Sequence, residues 1–142
     1  MDAYENLFAI VGCEQAVHRF YSALDASDFP AVGTCFAPEG VWHRQGAVLL
    51  GPDQVLEALA KRPAGRTTAH LVQNLVVSVE APTVASVEYM TLVYRVDADL
   101  PASGVVELGL PFSISLNKDR MTRGPQNDWV LLEKRSARKF GG

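Results

Sequence analysis

The sequence is short of the residues that build metal and redox centres. It has two cysteines and three histidines in 142 residues. Cys13 and Cys35 are not spaced as a metal knuckle or a redox motif, and His18, His43 and His70 fall on different predicted elements with no His-x-x-x-His or Glu-paired spacing. There is no Gly-rich phosphate loop and no nucleophile elbow. The expectation is therefore a chain with no metal and no cofactor. No apolar run approaches a membrane span, and the N-terminus lacks the pattern of a signal peptide. With both cysteines among apolar neighbours, buried free thiols and a reducing, cytoplasmic setting are expected. A formal net charge of −3 gives no electrostatic reason to expect nucleic acid as a partner. Lys134, Arg135, Arg138 and Lys139 form a locally basic stretch, read as a solvated strand end rather than a phosphate site.

What is present is an ordinary globular balance, with 48% hydrophobic and 20% charged residues, enough for one domain over residues 1–142 with a sizeable core. Asp2 with Glu5 three positions on has the form of a capping box. Tyr4, Leu7, Phe8 and Val11 then recur at helical spacing, as do Val17, Phe20, Tyr21 and Leu24. Gly12 lies between these runs and predicts two linked helices or one bent helix. Asp28 and Pro30 start a short helix that Pro38-Glu39-Gly40 closes. Val41 to Arg44 and Ala47 to Leu50 read as a hairpin, and Gly51-Pro52 opens a further helix stopped by Pro63 and Gly65.

Beyond Arg66 the period becomes that of strands. Thr67 to Glu80 and Val84 to Val96 are rich in β-branched residues. Asp97 to Gly104 reads as a loop. Val106, Leu108, Leu110, Phe112, Ile114 and Leu116 alternate with smaller or more polar residues, which predicts a half-buried strand with those apolar residues inward. Asn117 to Asn127 reads as a polar turn, and Trp129 to Ala137 as the last strand. Helices first and strands afterwards argue for an α+β fold, with a curved sheet wrapped on a helical layer and a pocket between them.

Asp25 stands out within this order. It ends the second helical run, where the macrodipole disfavours an anion, and it flanks the apolar stripe. If the helix carries it to a cavity wall, it could pair with a residue such as His70 on the first long strand. A carboxylate on one ring nitrogen fixes the tautomer and leaves the other free to move a proton. The plain alternative is a buried polar pair that ties helix to strand. Tyr21 points with Asp25 and could bond a substrate oxygen, or could be a core aromatic whose hydroxyl finds the backbone. In a regular strand His70, Val72, Asn74 and Val76 share a face, so Asn74 is a candidate pocket residue, with a strand-edge amide as the alternative. Tyr94 and Tyr89 cannot both face inward, and Tyr94 is preferred. Trp42 reads as pocket wall or core, His43 as its exposed neighbour, and His18 as part of a solvated flank.

Four segments, taken in order, carry a family resemblance: Tyr21-x-x-x-Asp25-x-x-Asp28-Phe29, Phe36-Ala37-Pro38-Glu39-Gly40-Val41-Trp42, the Gly51-Pro52 helix start, and Ala69-His70-Leu71-Val72-x-Asn74. Over nearly its full length the chain resembles the SnoaL-like branch of the NTF2-like superfamily. The resemblance implies an α+β cone, a curved mixed sheet folded over helices and enclosing an apolar pocket. It implies catalytic Asp25 and His70, as in the Asp–His pair of the scytalone dehydratase type, where the histidine is general acid and base in loss of water from a cyclic substrate. The residue before that aspartate is a tyrosine in the enzyme and Leu24 here, and a residue near Tyr94 stands in for a second histidine. The implied activity is a cofactor-independent lyase, isomerase or cyclase on a small apolar or aromatic molecule, with Tyr21, Trp42, Asn74, Tyr94 and Phe112 binding it. The superfamily's other implication is a non-catalytic binding protein or structural small subunit. A homodimer is expected in either case, with Glu107, Ser113, Ser115 and Arg95 on the outer face of the sheet.

Overall fold

A computed structural model describes residues 2–141. The capping box forms as read. Asp2 accepts from the Glu5 amide at 2.8 Å, and the Glu5 carboxylate accepts from the Asp2 amide at 3.2 Å. From there α1 runs unbroken over Ala3–Asp25. Gly12 neither breaks nor bends it into two, because its place is fixed by packing. A Cβ there would lie 2.4 Å from Cδ1 of Trp129. The helix buries Ala9, Cys13, Ala16, Val17, Phe20, Tyr21 and Leu24. Tyr4, Leu7, Phe8 and Val11 repeat at helical spacing on its exposed side, with Phe8 71% accessible. Cys13 and Cys35 are free thiols, and burial pushes Cys13 up to about 12.

Asp28 caps α2 (Phe29–Thr34) by accepting from the Ala31 amide. The chain enters β1 (Phe36–Arg44) directly, so Pro38-Glu39-Gly40 lies in a strand rather than closing a helix. A register shift between Phe36 and Val41 absorbs the proline, which cannot supply a ladder hydrogen bond. β2 (Ala47–Leu50) returns beside β1, and α3 (Gly51–Leu59) follows, burying Val55 and Leu59. The long strands are β3 (Arg66–Ala81), β4 (Val84–Asp97), β5 (Ser113–Arg123) and β6 (Trp129–Gly141). They make one curved mixed sheet in the order β2-β1-β6-β5-β4-β3, antiparallel except for β1 against β6. The fold is α+β, with α1 packed into the concave face. Among the described residues no helix is long and apolar enough to cross a membrane.

Two departures from the predicted strands decide what the concave face carries. The first is β5. Residues 105–112 form no strand, and Leu108 and Leu110 are exposed, Leu110 to 93%. The strand starts at Ser113 and continues through the expected turn to Arg123. Its alternation is opposite to the one read from hydrophobicity: Ser113, Ser115, Asn117, Asp119 and Met121 are buried, while Ile114 and Leu116 face the convex side. Ser113, Ser115 and Arg95 thus line the cavity instead of the outer face, and Glu107 lies outside the sheet. The polar positions belong inward because a cavity, not a packed core, lies over this part of the sheet.

The second departure is a register shift in β3 between Gln73 and Val76, where Asn74 has φ +56°. His70 and Val72 point inward before it; Leu75, Val77 and Val79 point inward after it. Asn74 is exposed, its amide 3.6 Å from the Met90 sulfur, and Val76 is exposed as well. Asn74 therefore does not line the cavity.

Candidate active site

The cavity lies between α1 and the concave face, with a volume of about 390 Å³. That is within the range of small-molecule sites. Its walls differ. Phe20, Leu24 and Trp42 supply apolar surface; the sheet supplies hydroxyls, an amide and cations. It is not the uniformly apolar hollow expected.

Asp25 and His70 meet at its edge. The last turn of α1 brings Asp25 against the start of β3, and Oδ1 lies 2.6 Å from His70 Nδ1. The His70 backbone amide donates to Oδ2 at 2.8 Å, and Thr68 Oγ1 donates to Oδ1 at 2.8 Å. Arg62 Nη2 in turn donates to Thr68 Oγ1 at 2.7 Å. Burial pushes the Asp25 carboxyl up, but the ring, the amide and the threonine outweigh it and hold Asp25 below the usual aspartate range. An ionised Asp25 accepts, so Nδ1 carries the proton. Nε2 is left as the basic nitrogen on a ring that lines the cavity. Tyr21 stacks on this ring, centroids 5.0 Å apart and planes 30° apart, which limits its rotation.

A second constellation, at the cavity floor, is one the sequence did not disclose. Lys134 on β6 is 3% exposed. Its Nζ donates to the hydroxyls of Tyr21 and Tyr89, both at 2.8 Å, and faces Asp119 at 3.4 Å. Tyr89 donates to Asp119 Oδ2 at 2.6 Å, and the two phenol oxygens are 2.9 Å apart. Because the Tyr89 hydroxyl donates to Asp119, the Tyr21 hydroxyl is the donor in the bond between the two phenols. The Tyr21 hydroxyl is then occupied as both donor and acceptor, and what Tyr21 offers a ligand is its ring. Burial works against the Lys134 ammonium, but Asp119 and Tyr21 outweigh it and hold it above the ordinary lysine range. Burial pushes Tyr21 and Tyr89 upward, and Asp119 too, against the pull of Lys134. The faces of Phe20 and Tyr21, 4.5 and 4.7 Å from Nζ, complete the cation's surroundings.

Of the other predicted site residues, Trp42 and Phe112 line the cavity and Tyr94 does not. On β4 the buried positions are Ala85, Val87, Tyr89, Thr91 and Val93, so the inward tyrosine is Tyr89 and Tyr94 is on the convex side. His43, read as exposed, lines the cavity, with Nε2 3.7 Å from a carboxylate oxygen of Glu133. The residues missed were Tyr89, Asn117, Asp119, Lys134 and the mouth arginines. The available signal was the run of polar residues at every second position from Ser113 to Asp119.

The fold is shared with solved structures of low sequence identity. A scytalone dehydratase candidate from Novosphingobium aromaticivorans is 13% identical with TM-score 0.81, covering 98% of this chain and 89% of that one. ActVI-ORFA from Streptomyces coelicolor is 15% identical with TM-score 0.76, covering 91% and 96%. A Catenulispora acidiphila protein in complex with S-DNPA is 19% identical with TM-score 0.73, covering 94% and 93%. None of the curated proteins compared matches the sequence. At these identities the likeness establishes the fold alone. The SnoaL-like domain family, in contrast, matches the sequence itself over residues 5–130, and the chain belongs to that family.

Proposed function

We propose that this protein is a cofactor-independent acid–base enzyme, a lyase, isomerase or cyclase acting on a small cyclic substrate. The observation that carries the reading is the Asp25–His70 pair at the cavity wall, with Nδ1 held by a carboxylate that also accepts from the His70 amide and Thr68. His70 Nε2 takes a proton from a carbon next to a substrate carbonyl. In an elimination the imidazolium returns that proton to a departing hydroxyl: the C–H and C–O bonds break, a C=C bond forms and water leaves. Asp25 stabilises the imidazolium through Nδ1. The Lys134 ammonium, held beneath the Tyr21 ring, favours negative charge developing above it. A relative of like fold named for a dehydratase activity agrees with this class.

The test uses α-tetralone in D₂O, with loss of its α-proton signals followed by NMR. The protein accelerates exchange over buffer, and His70→Asn removes the acceleration while keeping the circular dichroism spectrum. Exchange unchanged in His70→Asn takes His70 out of the mechanism. Binding without any exchange makes the protein a binding module.

The proposal includes a homodimer built on the convex face of the sheet. Leu71, Leu92, Ile114 and Phe140 are register partners across four strands there, and Met90, Leu116 and Ala137 form the adjoining row. Leu71, Leu116 and Phe140 are exposed in the single chain. An apolar row of this kind suits an isologous two-fold contact.

A further inference from the structure

The mouth of the cavity is a ring of arginines. Arg44 ends β1, Arg62 follows α3, Arg66 opens β3, Arg95 lies near the end of β4, and Arg138 comes from β6. With Lys134 they put six cationic side chains on the lining, and no carboxylate is among the lining residues. The carboxylates behind the wall are already engaged. Asp25 holds His70 and Thr68, and Asp119 holds Tyr89 and Lys134. Asp97 is shared between Arg66 at 2.7 Å and Arg95 at 2.8 Å. This concentration of positive charge sits in a chain whose formal net charge is −3, so it is local and not a product of composition.

Two of the guanidinium groups lack what such groups ordinarily have. Among the described residues Arg44 forms no ion pair; it lies over the Trp42 ring, 5.1 Å from the centroid. Arg62 also forms none. It donates to the Leu24 carbonyl and to Thr68, and its Nε is buried without a hydrogen-bond partner. Burial, and then the neighbouring cations Arg62, Arg66 and Arg95, push the Arg44 guanidinium below its ordinary range. Like charges gathered at a partly desolvated mouth repel one another, and a bound anion removes that repulsion while supplying the missing acceptors. Phe112 lies between Arg95 and Arg138, 4.7 and 5.0 Å from their guanidinium carbons, so aromatic surface adjoins the charge.

We infer that the cavity takes an anionic ligand, a cyclic or aromatic carboxylate whose ring lies against Phe20, Tyr21 and Trp42 and whose carboxylate is received by the arginines at the mouth. The planar fork of a guanidinium matches two carboxylate oxygens, which a lysine-lined mouth would not do. This inference rests on the acid–base reading for the location of the site and names the substrate class for it. The carboxylate would also fix which carbon of the ring is presented to His70.

The test compares 2-naphthoate with 2-naphthamide, which have the same shape and differ in charge, by isothermal titration calorimetry at low and high ionic strength. Naphthoate is expected to bind roughly tenfold tighter or better at low salt, with the advantage shrinking at high salt. Arg44→Gln is expected to lose most of that advantage while leaving the amide's affinity unchanged. Equal affinities, a preference for the amide, or no binding of either at millimolar concentration overturns the inference. So does an advantage that neither salt nor Arg44→Gln alters. The readout is binding and not turnover, so it separates the two proposals. Charge selectivity kept in His70→Asn, with tetralone exchange indifferent to that substitution, retains the anion site and discards the acid–base role. The reverse pair of results discards the anion site alone.

Discussion

Replacing Lys134 by methionine keeps the length of the side chain and removes its charge. Asp119, 3% exposed, then keeps the Tyr89 hydroxyl at 2.6 Å and loses the one cation paired with it among the described residues. Removing one partner of a buried pair costs about 3–5 kcal/mol, because the other charge is left in a medium that solvates it poorly. For a chain of this size that is a large part of a total stability of about 5–15 kcal/mol, and it lowers the melting temperature by roughly 10 °C. The loss is pH-dependent. Without Lys134 the Asp119 pKa lies further above its unfolded value of about 3.9. The folded variant then holds a proton that the unfolded chain releases, and its deficit grows as pH rises from about 4 towards neutrality. Urea denaturation of the wild type, Lys134→Met, and Lys134→Met with Asp119→Leu at mildly acidic and neutral pH reads all of this. The double variant should recover most of the loss, since it leaves no buried charge. A single variant within about 1 kcal/mol of wild type, at both pH values, would show that Lys134 and Asp119 are solvated and would refute the buried constellation.

Asp25→Asn should cost about 1–3 kcal/mol and flatten the acid limb of stability. Wild-type Asp25 is held below its unfolded value, so its contribution is present above about pH 4 and lost as pH falls through the folded value; acid titration followed by circular dichroism checks it. On the alkaline side Lys134, Tyr21 and Tyr89 all retain protons in the folded state past their unfolded values, so stability should fall as pH climbs beyond about 10. Gly12→Val drives a side chain into Trp129 and should destabilise by about 1–3 kcal/mol, read by thermal melting. Leu92→Arg should convert the proposed dimer to a monomer in light-scattering chromatography, with the fold intact.

The element order and the cap at Asp2 were legible because each depends on local chemistry or on a spacing that survives folding, while the pairing of Asp25 with His70 was implied by the family resemblance. The inner wall was not legible. Glu133-Lys134-Arg135 has the composition of a solvated strand, and only the β5–β6 register, which sets Lys134 opposite Asp119, makes its middle residue the most deeply placed cation of the cavity. Tyr94 and Asn74 were misplaced for a related reason. Parity along β4 is anchored by contacts with α1 that no strand reports by itself, and β3 changes parity midway. On β5 hydrophobicity pointed the wrong way, since serines and an asparagine at a cavity wall leave the apolar residues for the convex side.

The extra residue at Asn74 separates two duties carried by one strand. If the same residues ran on as a regular strand, with Ala69 to Val72 in phase and no bulge, Leu75, Val77 and Val79 would turn out towards water. The chemistry-bearing end of β3 and its stabilising end are therefore mechanically out of step by design of the backbone: side chains can be exchanged at one end without re-phasing the other, and selection can alter the mouth of the cone while its base stays as it is.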